Sequence, residues 1–246
     1  MFDYQAPPNL LADRVILVTG AGRGIGAAAA QAYAAHGARV ILLGKTEANL
    51  RAVAKAILKA GHPEPVVFPL NLETATTADY EKLEVRIDDA FGRLDGLLHN
   101  ASLLGPRATL DEIPDAEFIQ VMQVNVNATF MLTRAMLPLL HRSTDASVIF
   151  TSSSVGRKGR AQWGAYAVSK FATEGLMQTL ADELQGSSLI RANSLNPGGT
   201  RTDMRAQAYP DENPERNPSP ADIMPVYLYL MGPDSTGVNG QAFDAR

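Results

Sequence analysis

Residues 14–37 read RVILVTGAGRGIGAAAAQAYAAHG: a continuous apolar run, a glycine-rich turn and an alanine-rich helical segment. Two glycine spacings overlap here. Because the apolar run ends at Thr19, we favour T-G-x-x-x-G-x-G, with Gly20, Gly24 and Gly26, over G-x-G-x-x-A. Glycines let the backbone turn sharply and approach a pyrophosphate, and a helix beginning near Ile25 points its amide end at the negative charge. Between a buried strand and a helix, this turn predicts a dinucleotide site.

The same alternation of strand and helix continues along the chain. Strands are predicted at 14–20, 38–44, 65–70, 94–100, 147–153 and 189–196, and helices at about 25–36, 47–60, 77–92, 115–141 and 165–185. Near-continuous apolar strands indicate burial on both faces, and the alternation indicates parallel crossovers. We therefore expect an α/β fold, a Rossmann-like doubly wound parallel sheet in three α/β/α layers. It should form a single domain over residues 1–246, with a ligand crevice at the carboxyl ends of the strands.

One segment departs from this alternation. Residues 205–222 read RAQAYPDENPERNPSPAD and are rich in proline and charge. Such a stretch is either a solvated surface loop or a lid over the crevice, formed by residues 205–220. The second interpretation is possible because long loops in compact domains are often functional. The sequence alone favours neither interpretation.

Composition narrows the function classes. With 46% hydrophobic and 20% charged residues the chain is that of a globular protein, and its net charge of −4 favours neither a nucleic-acid nor a membrane partner. The absence of cysteine excludes disulfides and thiolate chemistry. No metal site is expected, because the four histidines are far apart and lack H-E-x-x-H spacing. The opening residues do not resemble a secretory signal, so we expect a cytoplasmic protein.

The end of the second predicted strand discriminates between the two nicotinamide dinucleotides. NAD sites favour an acid there, which binds the ribose 2′-hydroxyl. Here the strand ends Leu43-Gly44-Lys45, and no acid occurs before Glu47. Lys45 and Arg23 would place positive charge where a 2′-phosphate lies, so we favour NADP(H) over NAD(H). Each residue taken alone is equally compatible with a solvated surface position.

A tyrosine and a lysine stand four residues apart in the predicted helix 165–185. The spacing puts Tyr166 and Lys170 on one helical face, where a lysine cation is expected to stabilise the phenolate and lower the tyrosine pKa. Ser153 precedes Tyr166 by 13 residues, at the end of a buried strand. The segment MQVNVNATF also places Asn125 and Asn127 inside an otherwise apolar helix, where unpaired amides would be costly.

With these motifs in this order, the chain resembles the classical short-chain dehydrogenase/reductase family over essentially its whole length. The segments MQVNVNATFMLT, FTSSSVGRKGRAQWGAYAVSKFATEG and NPGGTRT are most similar to its bacterial YciK-like members. The resemblance implies a catalytic tetrad of Asn125, Ser153, Tyr166 and Lys170. In this tetrad Tyr166 is the acid or base, Ser153 bonds the substrate oxygen, Lys170 tunes the tyrosine and holds the ribose, and Asn125 keeps a water. Ser152, Ser154 and Asn127 are the less favoured neighbours.

The resemblance also assigns the cofactor contacts. The implied residues are Gly20, Arg23, Gly24, Ile25, Gly26, Lys45, Asn71, Leu72, Asn100, Ala101, Tyr166, Lys170, Pro197, Gly198 and Thr202. Three departures from the family pattern are visible. His99 and Ser102 flank Asn100-Ala101 where the family has asparagine and glycine, Asn71 replaces an aspartate near the adenine, and the tail NGQAFDAR lacks the usual V-D-G-G.

These features together predict an oxidoreductase that transfers a hydride between NADP(H) and a ketone or secondary alcohol, with a 3-oxoacyl thioester as one candidate. The alternative is an NADP(H)-binding regulatory or scaffold protein. Arg157, Lys158 and Arg160 either recognise an anionic acyl carrier, a coenzyme A ester or another acid, or they face water or pair with acids of a partner subunit. Leu103, Leu104 and Tyr209 either wall the substrate end or belong to the core. Family resemblance also implies a homodimer or homotetramer.

Overall fold

The computed structural model describes residues 2–186 and 189–246. In these residues, seven parallel strands form one sheet in the order β3-β2-β1-β4-β5-β6-β7. The strands are β1 (Val15–Thr19), β2 (Arg39–Gly44), β3 (Val66–Pro69), β4 (Gly96–His99), β5 (Ala146–Thr151), β6 (Ile190–Asn196) and β7 (Ala242–Asp244). The order reverses between β1 and β4, which opens a crevice at their carboxyl ends.

Helices cover both faces of the sheet. They are α1 (Gly24–Ala35), α2 (Glu47–Lys59), α3 (Thr77–Phe91), α4 (Asp115–Met122), α5 (Ala128–Leu140), α6 (Gly164–Leu184), α7 (Asp203–Ala208) and α8 (Met224–Met231). One core joins α1, α2 and α8 to the sheet, and a second joins α3, α5 and α6 to the opposite face. The chain therefore has the expected three-layer, doubly wound fold.

The two cores follow from the residue pattern of β1. Ile16 and Val18 point into the core beneath α1 and α8, whereas Val15 and Leu17 point into the core of α3, α5 and α6. Successive side chains of a strand alternate between the two faces of its sheet, so an uninterrupted apolar run can be buried on both. The same pattern in β2 and β5 makes these central strands fully buried along most of their length.

The predicted helix 115–141 is helical from Asp115 to Leu140, but it is not α-helical throughout. Residues Gln123–Asn127 form a π-helical turn between α4 and α5. A π-turn inserts one extra residue into a helix, often at a functional site. The sequence analysis also missed α7, α8 and β7. The last of these is only three residues long and pairs with the edge of the sheet at β6.

The part of the chain that the structure describes contains no helix that is both long and apolar enough to cross a membrane.

Candidate active site

A crevice of about 1010 Å³ opens where the strand order reverses, along the carboxyl ends of the sheet. Most of the residues expected to bind the cofactor line it. They are Gly20, Arg23, Gly24, Ile25, Lys45, Asn71, Leu72, Asn100, Ala101, Tyr166, Lys170, Pro197 and Thr202. Gly26 and Gly198 do not line it, but each follows a lining residue in the sequence, Ile25 and Pro197 respectively. Residues from distant parts of the chain thus meet at one edge of the sheet, because parallel strands end on the same side.

The glycine turn has the frame that the end of β1 predicted. Gly20 and Gly24 have φ angles of 66° and 54°, in the left-handed region that favours glycine. A Cβ atom on Gly26 would lie 2.3 Å from the carbonyl oxygen of Gly20 and 2.6 Å from the Asn100 amide nitrogen. Only glycine fits at Gly26, and the resulting cradle, at the amino end of α1, suits a pyrophosphate.

Thr19 ties the two strands on either side of the crevice together. Its hydroxyl accepts hydrogen bonds from the backbone N–H of Asn100 at 2.9 Å and of Ala101 at 3.0 Å, and donates to the carbonyl of Leu98. The side-chain amide of Asn100 in turn donates to the Thr19 carbonyl at 3.2 Å. Sequence analysis placed Thr19 at the start of the glycine motif but gave it no contacts, because these depend on pairing between β1 and β4.

The end of β2 is free of acids on its crevice side. Lys45 lines the crevice and is exposed, whereas Glu47 accepts a 2.8 Å hydrogen bond from Nε of Arg51 along α2 and does not line it. Arg23 pairs with Asp203 at 3.2 Å, and both side chains are more than 70% exposed. An ion pair this exposed contributes little to stability, so Arg23 can exchange Asp203 for an anionic ligand at small cost.

Asn71 and Leu72 line the crevice in the turn that follows β3. The side-chain oxygen of Asn71 accepts from the backbone N–H of Glu73 at 3.2 Å, which fixes the turn after β3. A carbonyl oxygen has two lone pairs, so the same atom can also accept from an adenine amino group. Replacing the family's aspartate by asparagine is therefore compatible with nucleotide binding.

Tyr166 and Lys170 lie at the other end of the crevice, with Ser153 next to the tyrosine. Tyr166 and Lys170 are one turn apart on α6 and both line the crevice. Ser153 caps a short 3-10 helix after β5 and forms a hydrogen bond with the Tyr166 hydroxyl. Ser152 is fully buried and its hydroxyl donates to Glu174 at 2.6 Å, while Ser154 is exposed. Of the three serines, Ser153 is the one that reaches the tyrosine.

The pKa values correct one expectation. Burial raises the pKa of Tyr166 to about 12, although the bond with Ser153 lowers it in part. The predicted net lowering by Lys170 is wrong for this structure, because Nζ of Lys170 donates to the Thr151 carbonyl at 2.8 Å and lies 5.4 Å from the tyrosine ring centre. Tyr166 is therefore a neutral phenol at physiological pH, which is the form that can donate a proton.

A buried carboxylate extends the same face of α6 by one further turn. Glu174 accepts hydrogen bonds from Ser152 at 2.6 Å, from Ser194 at 2.7 Å and from Arg157 at 3.2 Å. Burial lowers the pKa of Lys170 to about 8, and the negative charge of Glu174 acts in the opposite direction. Glu174 therefore helps to keep Lys170 protonated. The sequence analysis missed this residue, although its position four after Lys170 was visible.

The π-helical turn separates the two asparagines. Asn125 is buried, its side-chain oxygen accepts from the Leu103 backbone at 2.8 Å, and its amide donates to Leu103 and Ser169. Asn127 is exposed and donates to Gln123. Asn125 thus fixes the loop that forms one wall of the crevice, which is a contact the sequence could not reveal.

His99 occupies a buried core position beside the crevice. Its Nε2 is 2.8 Å from the hydroxyl of Thr133, and its ring stacks on Phe150 at 5.0 Å. Because Thr133 donates its own hydrogen to the Thr129 carbonyl, His99 Nε2 is the donor to Thr133. Burial lowers the pKa of His99 to about 3, so the ring is neutral. It substitutes for asparagine as a packed and hydrogen-bonded residue.

The basic segment after Ser153 does not form one anion site. Arg157 binds Glu174 and both carboxylate oxygens of Asp244, so its charge is already neutralised. This excludes Arg157 from the predicted role in anion recognition. Lys158 is exposed, and Arg160 donates to the hydroxyl of Tyr209 at 3.0 Å.

An aromatic cluster lies beside Tyr166 instead. The ring of Trp163 is 5.8 Å from the rings of both Tyr166 and Tyr209, and the guanidinium of Arg107 lies over Trp163 at 4.6 Å. Leu104 belongs to this apolar group, whereas Leu103 packs against the core under α5 and lines the crevice. Sequence analysis missed Arg107, which has no local signal because it follows an irregular loop.

The segment 205–220 is folded over this cluster. It continues from α7 and contains a short 3-10 helix at Pro214–Arg216. Glu212 accepts from Nε and Nη2 of Arg205 at 2.6 Å each and from Asn217 at 2.9 Å, which closes the loop on itself. Tyr209 is its inward-facing residue and packs on Trp163.

A strand–glycine turn–helix cradle, together with a half-buried tyrosine and a buried lysine in the same crevice, defines a dinucleotide-dependent oxidoreductase. The model of the short chain dehydrogenase family matches residues 14–213. The chain belongs to the short chain dehydrogenase family.

Within this family the chain is similar to the oxidoreductase YciK of Escherichia coli (strain K12), with 56% identity over 99% of this chain and 96% of the relative. A short chain dehydrogenase structure from Pseudomonas syringae is 72% identical, has a TM-score of 0.99 and covers 100% of both chains. One from Escherichia coli CFT073, complexed with NADPH, is 56% identical, has a TM-score of 0.95 and covers 98% of this chain and 99% of that one. The expected family and its YciK-like subgroup are confirmed.

Proposed function

We propose that the protein is an NADP(H)-dependent oxidoreductase that interconverts a ketone and a secondary alcohol. The observation that carries this proposal is that Tyr166 and Lys170 line the crevice one helical turn apart, with Ser153 bonded to the tyrosine hydroxyl. A half-buried phenol bonded to a serine, with an ammonium one helical turn away, is suited to protonating a carbonyl oxygen. A purely structural tyrosine would not need this arrangement.

The residues of the tetrad have separate proposed tasks. NADPH supplies a hydride, and hence two electrons, for the carbonyl carbon. Tyr166 gives its hydroxyl proton to the carbonyl oxygen, Ser153 donates a hydrogen bond to that oxygen, and the products are the secondary alcohol and NADP⁺. Lys170 holds positive charge near the phenolate that remains until solvent reprotonates it. Asn125 orients the Leu103 loop through its bonds to that backbone.

Three observations support NADP(H) over NAD(H). Lys45 faces the crevice at the end of β2, Arg23 is only weakly held by Asp203, and Glu47 turns away to Arg51. The Escherichia coli relative that is complexed with NADPH is consistent with this preference. We infer that Lys45 and Arg23 bind the 2′-phosphate, while Gly20, Gly24, Ile25 and Gly26 form the pyrophosphate cradle.

The substrate is a small carbonyl compound or alcohol. A 3-oxoacyl thioester is one member of the panel to be tested, but nothing in the arrangement of Arg157 favours an acyl carrier or coenzyme A ester. Residues 205–220 are proposed as the lid of the substrate end, since Tyr209 packs against Trp163 next to Tyr166. Asn71, Leu72, Asn100, Ala101, Pro197, Gly198 and Thr202 complete the proposed cofactor contacts.

NADPH absorbance with a panel of diketones, acetoacetyl esters and aldehydes tests the proposal. We expect turnover on at least one ketone, and a fall in kcat of about 100- to 10,000-fold for Tyr166→Phe with NADPH binding retained. The control is Tyr80→Phe, which also removes a tyrosine hydroxyl. Unlike that of Tyr166, the Tyr80 hydroxyl is buried without a bonding partner among the described residues, so this variant should keep full activity. NADPH binding without turnover on any substrate would instead favour a regulatory or scaffold protein.

We also propose a homodimer or homotetramer. Val168 and Phe171 on α6 and Phe130 on α5 are each more than 40% exposed, and exposed apolar side chains of this size often mark a surface that a partner covers. Light scattering at decreasing concentration should give a mass of two or four chains, and a constant monomer mass would contradict this. A cytoplasmic location stays a prediction.

A further inference from the structure

The aromatic cluster beside Tyr166 contains two donors without acceptors. Nε1 of Trp163 and Nε of Arg107 are both inaccessible to solvent, and neither has a hydrogen-bond partner among the residues that the structure describes. Trp163 as a whole is only 7% exposed. Buried N–H groups are nearly always paired in folded proteins, because an unpaired one carries the cost of its lost hydration. Two such donors in one cluster point to an acceptor group that the protein itself does not provide.

The charge of the cluster indicates what kind of acceptor this is. Arg107 lies 4.6 Å from the ring centre of Trp163 and 5.3 Å from that of Tyr209, and Nη1 donates to the Ala208 carbonyl at 2.6 Å. The two aromatic ring faces and the Ala208 carbonyl stabilise the Arg107 cation but do not neutralise its positive charge. In the described residues, no carboxylate forms an ion pair with Arg107 or with Arg160.

A neighbouring arginine provides an internal comparison. Arg205 also stacks on Tyr209, at 3.8 Å from its ring centre, but Glu212 accepts two hydrogen bonds of 2.6 Å from its guanidinium. Arg205 is thus satisfied in charge and in hydrogen bonds within the lid. Arg107 stacks on the same ring but has no acidic partner. By comparison with Arg205, the group that would satisfy Arg107 is a carboxylate.

The cluster lies close to the proton donor. The Trp163 ring contacts both Tyr166, at 5.8 Å between ring centres, and the Arg107 guanidinium, at 4.6 Å. Tyr166 and Arg107 are therefore joined through a single shared neighbour. A short oxo acid carries a ketone for Tyr166 and an acid group for Arg107, a few carbons apart.

We propose that the substrate is an oxo acid or the matching hydroxy acid, whose carboxylate accepts hydrogen bonds from Arg107 and Trp163. This inference rests on the proposed oxidoreductase function and adds the class of substrate. A planar guanidinium can bind a carboxylate through two parallel hydrogen bonds, and exclusion of water by the aromatic rings strengthens them.

Trp163 is the only tryptophan of the chain, so its fluorescence reports directly on this cluster. The enzyme loaded with NADP⁺, in which a ketone cannot be reduced, is titrated with 4-oxopentanoate and separately with methyl 4-oxopentanoate. The two probes differ in the carboxylate charge. We expect the acid to bind about 10- to 100-fold more tightly than the ester, as charged hydrogen bonds in a partly buried site predict. Equal affinities would overturn the proposal.

Variants test whether Arg107 and Trp163 are responsible for the preference for the acid over the ester. Arg107→Met should abolish the preference for the acid while leaving ester binding within about threefold. Arg86→Met, which removes a guanidinium stacked on Phe68 at 5.1 Å, is the matched control and should retain the preference. If Arg107→Met weakened acid and ester equally, the arginine would only support the lid, and the proposal would fail. In steady-state assays, Trp163→Phe should raise the KM of the acid and not that of the ester.

The fluorescence measurement involves no turnover, so the two proposals can fail separately. Reduction of neutral ketones without any preference for the acid would refute the oxo-acid inference and leave the oxidoreductase function standing. Selective binding of the acid without reduction of any ketone would refute the proposed function instead.

Discussion

The glycine cradle of the crevice is shaped by backbone, whereas the aromatic cluster beside Tyr166 is shaped by side chains. Gly20, Gly24 and Gly26 form the cradle within seven consecutive residues, and a methyl group added at Gly26 would collide with it. The cluster consists of Arg107, Trp163 and Tyr209, which come from three separate loops. Each of the three side chains contacts the other two. The first region is therefore intolerant of small changes, and the second distributes its energy over many weak interactions.

The largest expected effect is at the cofactor end. Gly26→Ala places a methyl group 2.3 Å from the Gly20 carbonyl oxygen, so backbone must move. We expect a loss of about 1–3 kcal/mol in unfolding free energy and a rise of at least about 100-fold in the NADPH Kd. Calorimetry and NADPH fluorescence titration measure these. Gly159→Ala, whose Cβ meets nothing within 4 Å, is the control, and similar behaviour of both variants would remove the contrast.

A smaller effect is expected from the charge at the end of β2. Lys45→Glu puts an acid beside the proposed 2′-phosphate position. The ratio of kcat/KM for NADPH to that for NADH should fall about 10- to 100-fold, as opposite charges at a partly solvated site imply. Lys55→Glu makes the same charge change on an exposed position of α2 and should leave the ratio unaltered. An unchanged ratio in Lys45→Glu would refute the assignment of this residue.

The next effect concerns the pH dependence at the chemical centre. Burial lowers the pKa of Lys170 to about 8 and Glu174 opposes it, so Glu174→Gln should lower this pKa further. The alkaline limb of the rate profile should then move down by about one pH unit, because Lys170 loses its proton earlier. Ketone reduction between pH 6 and 10 checks this. Asp182→Asn, an exposed change on α6, should leave the profile in place, and coincident profiles for all three proteins would exclude an electrostatic role of Glu174.

The smallest effect is expected in the lid. Glu212→Gln weakens the bonds to Arg205 that close the loop on itself. Because these side chains are about three-quarters buried and the loop has other contacts, the KM for the ketone should rise only about two- to fivefold, with the NADPH Kd unchanged. Glu215→Gln, from a more exposed pair with Arg201, is the matched control. A large rise in the NADPH Kd would show that the lid serves the cofactor end.

Local sequence was sufficient to predict a structural feature wherever a single segment of the chain forms that feature. The glycine spacing and the end of β1 determined the cradle, and the four-residue step from Tyr166 determined which face of α6 meets the crevice. The helices of the predicted pattern end within one or two residues of their observed bounds, except at the π-helical turn that precedes Ala128. Periodicity carries this information because burial of one helical face or of alternating strand residues is a local property.

Other features depend on which segments meet in space. The sequence correctly predicted Tyr166 beside Lys170, but it gave the wrong net direction for the tyrosine pKa, because desolvation depends on the surrounding packing. It singled out Arg157, whose partners Glu174 and Asp244 lie far along the chain, and it overlooked Arg107. Hydrophobic and glycine patterns can be recognised from neighbouring residues of the chain. The partner of a charge, the loss of solvent around an individual group and the absence of a hydrogen-bond acceptor depend instead on how distant loops pack together.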